Sequence, residues 1–138
     1  MKEQFFIYAS ILVIFASCCK AECITADVMI SFEKLKARDT DSVLVIMYRP
    51  GTSFSVQIDS TWTYTPVSIP DTSNSGLVKS IPGHVDSKIF LSSLNKAYLF
   101  TGYELENINC ACEGNKTQVV RSFFLNSVRK QGNNVALD

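Results

Sequence analysis

The chain has 138 residues, with 13 basic and 13 acidic side chains, 46% hydrophobic residues, one histidine and five cysteines. The charges balance and form no basic stripe, so the chain lacks the means to neutralise a phosphate backbone, and nucleic acid is excluded as a partner. With His84 as its only histidine and a C-x-C rather than a C-x-x-C spacing at Cys110 and Cys112, the usual four-ligand zinc site is excluded too, and no metal or other cofactor is expected.

The first residues read "MKEQFFIYASILVIFASCCKA". Lys2 precedes an apolar run of 13 residues, from Phe5 to Ser17. A membrane-spanning helix needs about 20, whereas this length suits the h-region of a secretory signal. Cys19 and Ala21 put small residues at −3 and −1 of a cleavage site. The expectation is a signal peptide over residues 1–21, with cleavage after Cys19 as the second choice. Two rivals rank lower. A buried N-terminal helix would show an amphipathic stripe, and "FASC" matches a bacterial lipobox only with Phe15 where leucine is usual. Removal of the signal leaves 117 residues with 11 basic and 12 acidic side chains. That is enough for one domain over 22–132, with a short tail at 133–138, secreted and without membrane insertion. "NKT" at Asn115 is an N-glycosylation acceptor in such a protein.

Cleavage also removes Cys18 and Cys19 and leaves Cys23, Cys110 and Cys112. An odd count in an oxidising compartment implies one disulfide and one spare thiol. Cys110 and Cys112 are two apart and share one face of a strand, so the long-range bond joins Cys23 to one or the other. Closing a loop of this size stabilises by about 4 to 5 kcal/mol in the chain-entropy model.

Residues 27–35 alternate about Val28, Ile30 and Phe32 and read as a strand. "KLKARDTD" is a charged turn. "SVLVIMYRPG" is a β-branched run closed by Pro50 and Gly51, and its unbroken apolar centre predicts a strand covered on both sides. "SFSVQI" and "STWTYTPV" alternate again, the second with Trp62 and Tyr64 on one face and threonines on the other. "SIPDTSNSGLVKSIPGHVDS" reads as a long loop, and "KIFLSSL" as a short strand or a helical turn. "KAYLFTGYELENINCAC" reads as a hairpin turning near Glu106 and Asn107, and "EGNK" as a turn. In "TQVVRSFFLNSVRKQG" the apolar positions 119, 120, 123, 124 and 128 have helical spacing, with Arg129 and Lys130 at the C-terminus and Gly132 as the stop. Strands first and a helix last predict a small closed barrel. The alternative, an immunoglobulin-like sandwich, would want a cysteine closer to Trp62 than Cys23.

The chain carries no G-x-S-x-G, H-E-x-x-H, phosphate-binding loop or G-x-G-x-x-G, and is not expected to be an enzyme. His84, beside Pro82 and Gly83, reads as an exposed loop residue rather than half of a Cys–His dyad. Glu104 and Glu106 share a strand face and read as solvated. Tyr98, Phe100 and Tyr103 offer rings to a ligand, although core packing explains the first two.

Taken in order, "FEKLKARD", "VLVIMYRPG", "WTYTPVSIPDTSNSGLV" and "KAYLFTGYELENINCAC" resemble a netrin-type module, as found in tissue inhibitors of metalloproteinases. The likeness covers roughly residues 21 to 125. Residues 27–35 are similar to the family's first strand, Tyr48-Arg49-Pro50-Gly51 to the turn after its second, Tyr64-Thr65-Pro66 to the end of its third, and Tyr98-Leu99-Phe100-Thr101-Gly102 to its "YLLAG" strand. The resemblance implies a five-stranded OB-type closed barrel with a C-terminal helix. It implies an extracellular metalloproteinase or matrix protein as partner. It places the second cysteine of the family's opening C-x-C at Cys23, paired with Cys112 or, alternatively, Cys110. Glu22, Cys23 and Ile24 would then form the inhibitory N-terminus. The family's first cysteine falls at Ala21 and its partner at Ser75, so that whole disulfide is replaced. The implication is weak or lost inhibition, or a ligand- or matrix-binding module without inhibition.

Overall fold

The computed structural model describes residues 26–109 and 116–138. Glu22, Cys23, Ile24, Cys110, Cys112, Asn115 and the expected signal peptide lie outside these residues. The described part is mostly β. Its strands are β1 (Asp27–Ser31), β2 (Val43–Tyr48), β3 (Gln57–Thr63), β4 (Val78–Pro82), β5 (Asp86–Leu91), β6 (Lys96–Asn109), β7 (Lys116–Leu125), β8 (Val128–Gln131) and β9 (Asn134–Ala136), with one 3-10 turn, Ala37–Thr40.

Alternating apolar side chains build two sheets around one core. The first has the order β4-β1-β9, with β9 parallel to β1; the second has the order β3-β2-β5-β6-β7-β8. Val28, Ile30 and Ile81 from the small sheet meet Val43, Val45, Ile89, Leu91, Phe100 and Phe123 from the large one. These side chains lie on one parity of each strand, as a period of two requires. Phe100 stacks on Phe123 at 5.7 Å between centroids.

The closed barrel expected above does not form. β1 pairs with β4 and β9 instead of with β2, because residues 32–42 carry the chain across the core to the other sheet. The strands β3 and β8 are left as free edges of the large sheet.

The expected C-terminal helix is also absent from the described residues. Residues 116–125 form β7 along β6, and residues 128–131 form β8. The helical spacing has a physical cause. Leu105 pairs with Val120 and Glu104 with Ser122, so Arg121 is an extra residue in β7. This bulge resets the alternation and puts buried Val120 and Phe123 three apart. Asn126 and Ser127 both have positive φ, 48° and 69°, as a two-residue primed hairpin turn demands.

Other elements also differ in extent. β6 continues through Glu106 and Asn107, where a turn was expected, because every residue there finds a partner on β7. β4 lies inside the segment read as a loop, and "KIFLSSL" is largely strand β5. The segment read as a tail supplies β9, and Leu137 is buried in the core.

Candidate binding site

Three chain segments far apart in sequence meet at one end of the large sheet. The first is the loop after β2. Gly51 takes a φ of +73°, and Ser53 and Phe54 follow at +49° and +61°. Left-handed backbone is costly for an aromatic residue. Here the loop is held by its own bonds, Thr52 Oγ1 to the Arg49 carbonyl at 2.7 Å and Ser55 Oγ to the Thr52 carbonyl at 2.6 Å. The Phe54 ring also packs edge-on against Tyr48 at 5.2 Å. The second segment is the turn between β4 and β5, with Gly83 and His84. The third is the bulged stretch of β6 from Thr101 to Leu105.

Between them lies an open cavity of about 600 Å³, lined mainly by Pro50, Gly51, His84, Asp86, Tyr103 and Leu105. This is within the usual range for small-ligand sites. Asp86 opens β5 and is only 7% exposed. Its carboxylate accepts the Gly51 N–H at 3.1 Å, which ties the first loop to β5 and leaves further acceptor capacity. His84 is exposed at the rim. The Tyr103 ring stacks on Phe123 at 6.0 Å. The Tyr103 and Ser87 hydroxyls are buried without good hydrogen-bond geometry to any group. Ser87 is nonetheless near enough to favour the phenolate. Burial outweighs it and pushes the Tyr103 phenol well above its ordinary value, with the Asp86 charge adding to the effect. The phenol therefore stays protonated.

Ala26, the first described residue, stands at this same end. Its carbonyl accepts the Gly83 N–H at 2.6 Å. A Cβ at position 83 would lie 2.5 Å from that carbonyl oxygen and 2.5 Å from Val120 Cγ2, so the approach is open only to glycine.

The side chains singled out in the sequence do not converge. Tyr98 and Phe100 are core residues, while Tyr103 reaches the cavity. Glu104 faces away from it, bonded to Ser122 at 2.8 Å and paired with Arg129 at 2.5 Å. Glu106 is exposed on the hairpin. His84 is an exposed turn residue, as read, but it belongs to the cavity rim. Asp86 and Ser87 were missed, since a single acid at the start of a strand carries no local signal. Among the described residues no group of three His, Cys, Asp or Glu side chains converges as metal ligands would.

Ser75, where the resemblance would put the family's partner cysteine, is fully buried. Its hydroxyl meets Thr40 Oγ1 at 2.5 Å, and its N–H donates to the Leu35 carbonyl. In the β1–β4 ladder Asp27 pairs with Pro82 and Ser31 with Val78. Ser75 therefore lies beyond the far end of that ladder from Ala26. No protein-family model, curated protein or solved structure matches this chain.

Proposed function

We propose that the chain is a secreted, non-enzymatic binding module of netrin type in which inhibition of metalloproteinases by the N-terminus is weak or lost, and that its ligand site is the cavity between Pro50, Asp86 and Tyr103. The observation that supports the ligand site is the buried Asp86 carboxylate, held by Gly51 and lining a cavity of ligand size. One fixed acceptor among Pro50, Leu105 and the Tyr103 ring suits a small ligand with a cationic or N–H donor group and an apolar body. Amide shifts in labelled secreted protein provide the test, with amines, neutral compounds and carboxylates as fragments. Amines should move the Gly51, Gly83 and Leu105 signals and lose their effect in Asp86→Asn, which keeps an acceptor for Gly51 but not the charge. Equal shifts from carboxylates, or shifts scattered over the surface, would remove the cavity from the reading.

The loss of inhibition rests on the sequence, where both cysteines of the family's first disulfide are replaced. In inhibitors of this type the first cysteine presents its α-amine to the catalytic zinc, held there by its own disulfide. Here the corresponding pair is Ala21 and Ser75, and the Ser75 hydroxyl is committed to Thr40. A chain starting at Glu22 would have one tether, at Cys23, and ordering the freer end costs about 1 to 2 kcal/mol per residue. Titration of zinc metalloproteinases with correctly processed protein should show little inhibition. Tight inhibition that vanishes when a residue is added before Glu22 would restore the inhibitor reading.

A further inference from the structure

The two sheets have four edges among the described residues, and three carry the usual guards against edge-to-edge pairing. β4 contains Lys79 and Pro82, β8 is four residues long and contains Arg129 and Lys130, and β9 is three residues long. The fourth, β3, carries such guards, Asp59 and a bulge, only in its first half. It runs seven residues, "QIDSTWT", is exposed over nearly all of its length, and has no lysine, arginine or proline. Its one irregularity lies at its start, where the register with β2 shifts between Met47 and Tyr48. From Ser60 to Thr63 the ladder is regular, and the outer side of the strand has no neighbour in the sheet.

Trp62 is 48% exposed and Tyr64 62%, with ring planes 11° apart and centroids at 6.3 Å. Trp62 pairs with Leu44 and Ser60 with Ile46, which puts these two on the face away from the core. Thr61 and Thr63 take the other face, opposite Val45 and Val43. The local sequence "STWTY" is nearly symmetric about Trp62.

We infer that β3 is a self-association edge and that its occupant is β3 of a second copy, antiparallel and centred on Trp62. In that register Trp62 meets its own equivalent, and each Thr61 faces Thr63 of the second copy. Ser60 faces Tyr64 of the second copy, which continues the aromatic row across the junction. Thr–Thr and aromatic pairs are among the favourable cross-strand combinations. The two Asp59 carboxylates fall at opposite ends of the junction, so no like charges oppose. An isologous contact of this kind closes as a dimer. A junction of one short strand per copy is expected to bury less than the roughly 800 Å² per partner of a standard interface, so the dimer should be weak and concentration-dependent.

The test uses the processed, full-length secreted protein in analytical ultracentrifugation over a wide concentration range. Emission of Trp62, the only tryptophan in the chain, gives a second readout at the junction. A monomer–dimer equilibrium is expected, with a blue shift as concentration rises. Thr61→Lys/Thr63→Lys opposes lysines on both sides of the two-fold and should weaken the dimer by about tenfold or more. Thr61→Lys/Thr63→Glu opposes lysine to glutamate on both sides and should keep it. Both pairs of changes fall on exposed or half-buried side chains, and circular dichroism confirms that each variant is folded. Wild-type protein that stays monomeric throughout would overturn the inference, as would a dimer that treats the two variants alike.

Discussion

Gly83 joins the small sheet, the β6–β7 hairpin and the cavity at one point, so its replacement by alanine tests the packing there directly. The added Cβ would stand 2.5 Å from the Ala26 carbonyl oxygen and 2.5 Å from Val120 Cγ2. The first neighbour is backbone. The second is a β-branched side chain in a strand, nearly fully buried, with little rotamer freedom. Neither can move aside alone, so β1 must separate from the β4–β5 turn. Overpacking of this kind costs about 1 to 3 kcal/mol. Separation also lengthens the 2.6 Å bond from Gly83 N–H to Ala26, worth about 1 kcal/mol. Gly83→Ala should therefore lose about 2 to 4 kcal/mol in urea unfolding followed by circular dichroism, or on the order of 10 °C in Tm. Gly51→Ala is the control. Its Cβ would meet nothing within 4 Å, but its φ is +73°, so it should cost only the left-handed penalty of about 1 to 2 kcal/mol. A Gly83→Ala protein as stable as wild type, or less affected than Gly51→Ala, would refute this account of how β1 is held.

Phe123 is fully buried between Phe100 and Tyr103. Phe123→Ala should cost about 3 to 5 kcal/mol in the same assay, and an effect below 1 kcal/mol would contradict a shared core at this position. The Glu104 carboxyl is held below its ordinary 4.5, chiefly by the Ser122 hydroxyl, with Arg129 adding to it. A lowered folded-state value means stability that is present above the unfolded value and lost as pH falls through the folded one. Wild type should therefore lose stability below about pH 4.5 and Glu104→Gln should show a shallower acid limb, read from urea midpoints across that range; identical acid limbs would count against the Ser122–Arg129 arrangement. Non-reducing peptide mapping of exported protein is expected to find Cys23 joined to Cys112, or to Cys110 as the alternative, in a chain beginning at Glu22. Cys23→Ser should then cost about 2 to 5 kcal/mol, whereas three free thiols would end the proposed tie.

How much was legible in the sequence depended on whether a strand keeps strict alternation. β1 and most of β3 were readable because Val28 and Ile30 lie on one parity and Trp62 stands clear of the threonines, whereas β2 was read from its unbroken β-branched run. β7 was misread because one bulged residue converts a two-residue period into spacings of three and four, which are those of a helix. β4 was hidden by a serine- and proline-rich context, although its exposed edge tolerates such residues.

A β-rich single core is already dictated by the period of the apolar residues, which sets which side chains can be buried together. The sequence also carried the candidates for export and disulfide formation at residues 1–23, 110 and 112. Which sheet each strand joins is settled by packing in three dimensions, since β1 pairs with β4 and β9 through contacts tens of residues apart in sequence. The same holds for the cavity. Gly51, Asp86 and Tyr103 have no local pattern in common, and they form one site because the loop after β2, the turn before β5 and the bulged stretch of β6 meet in space.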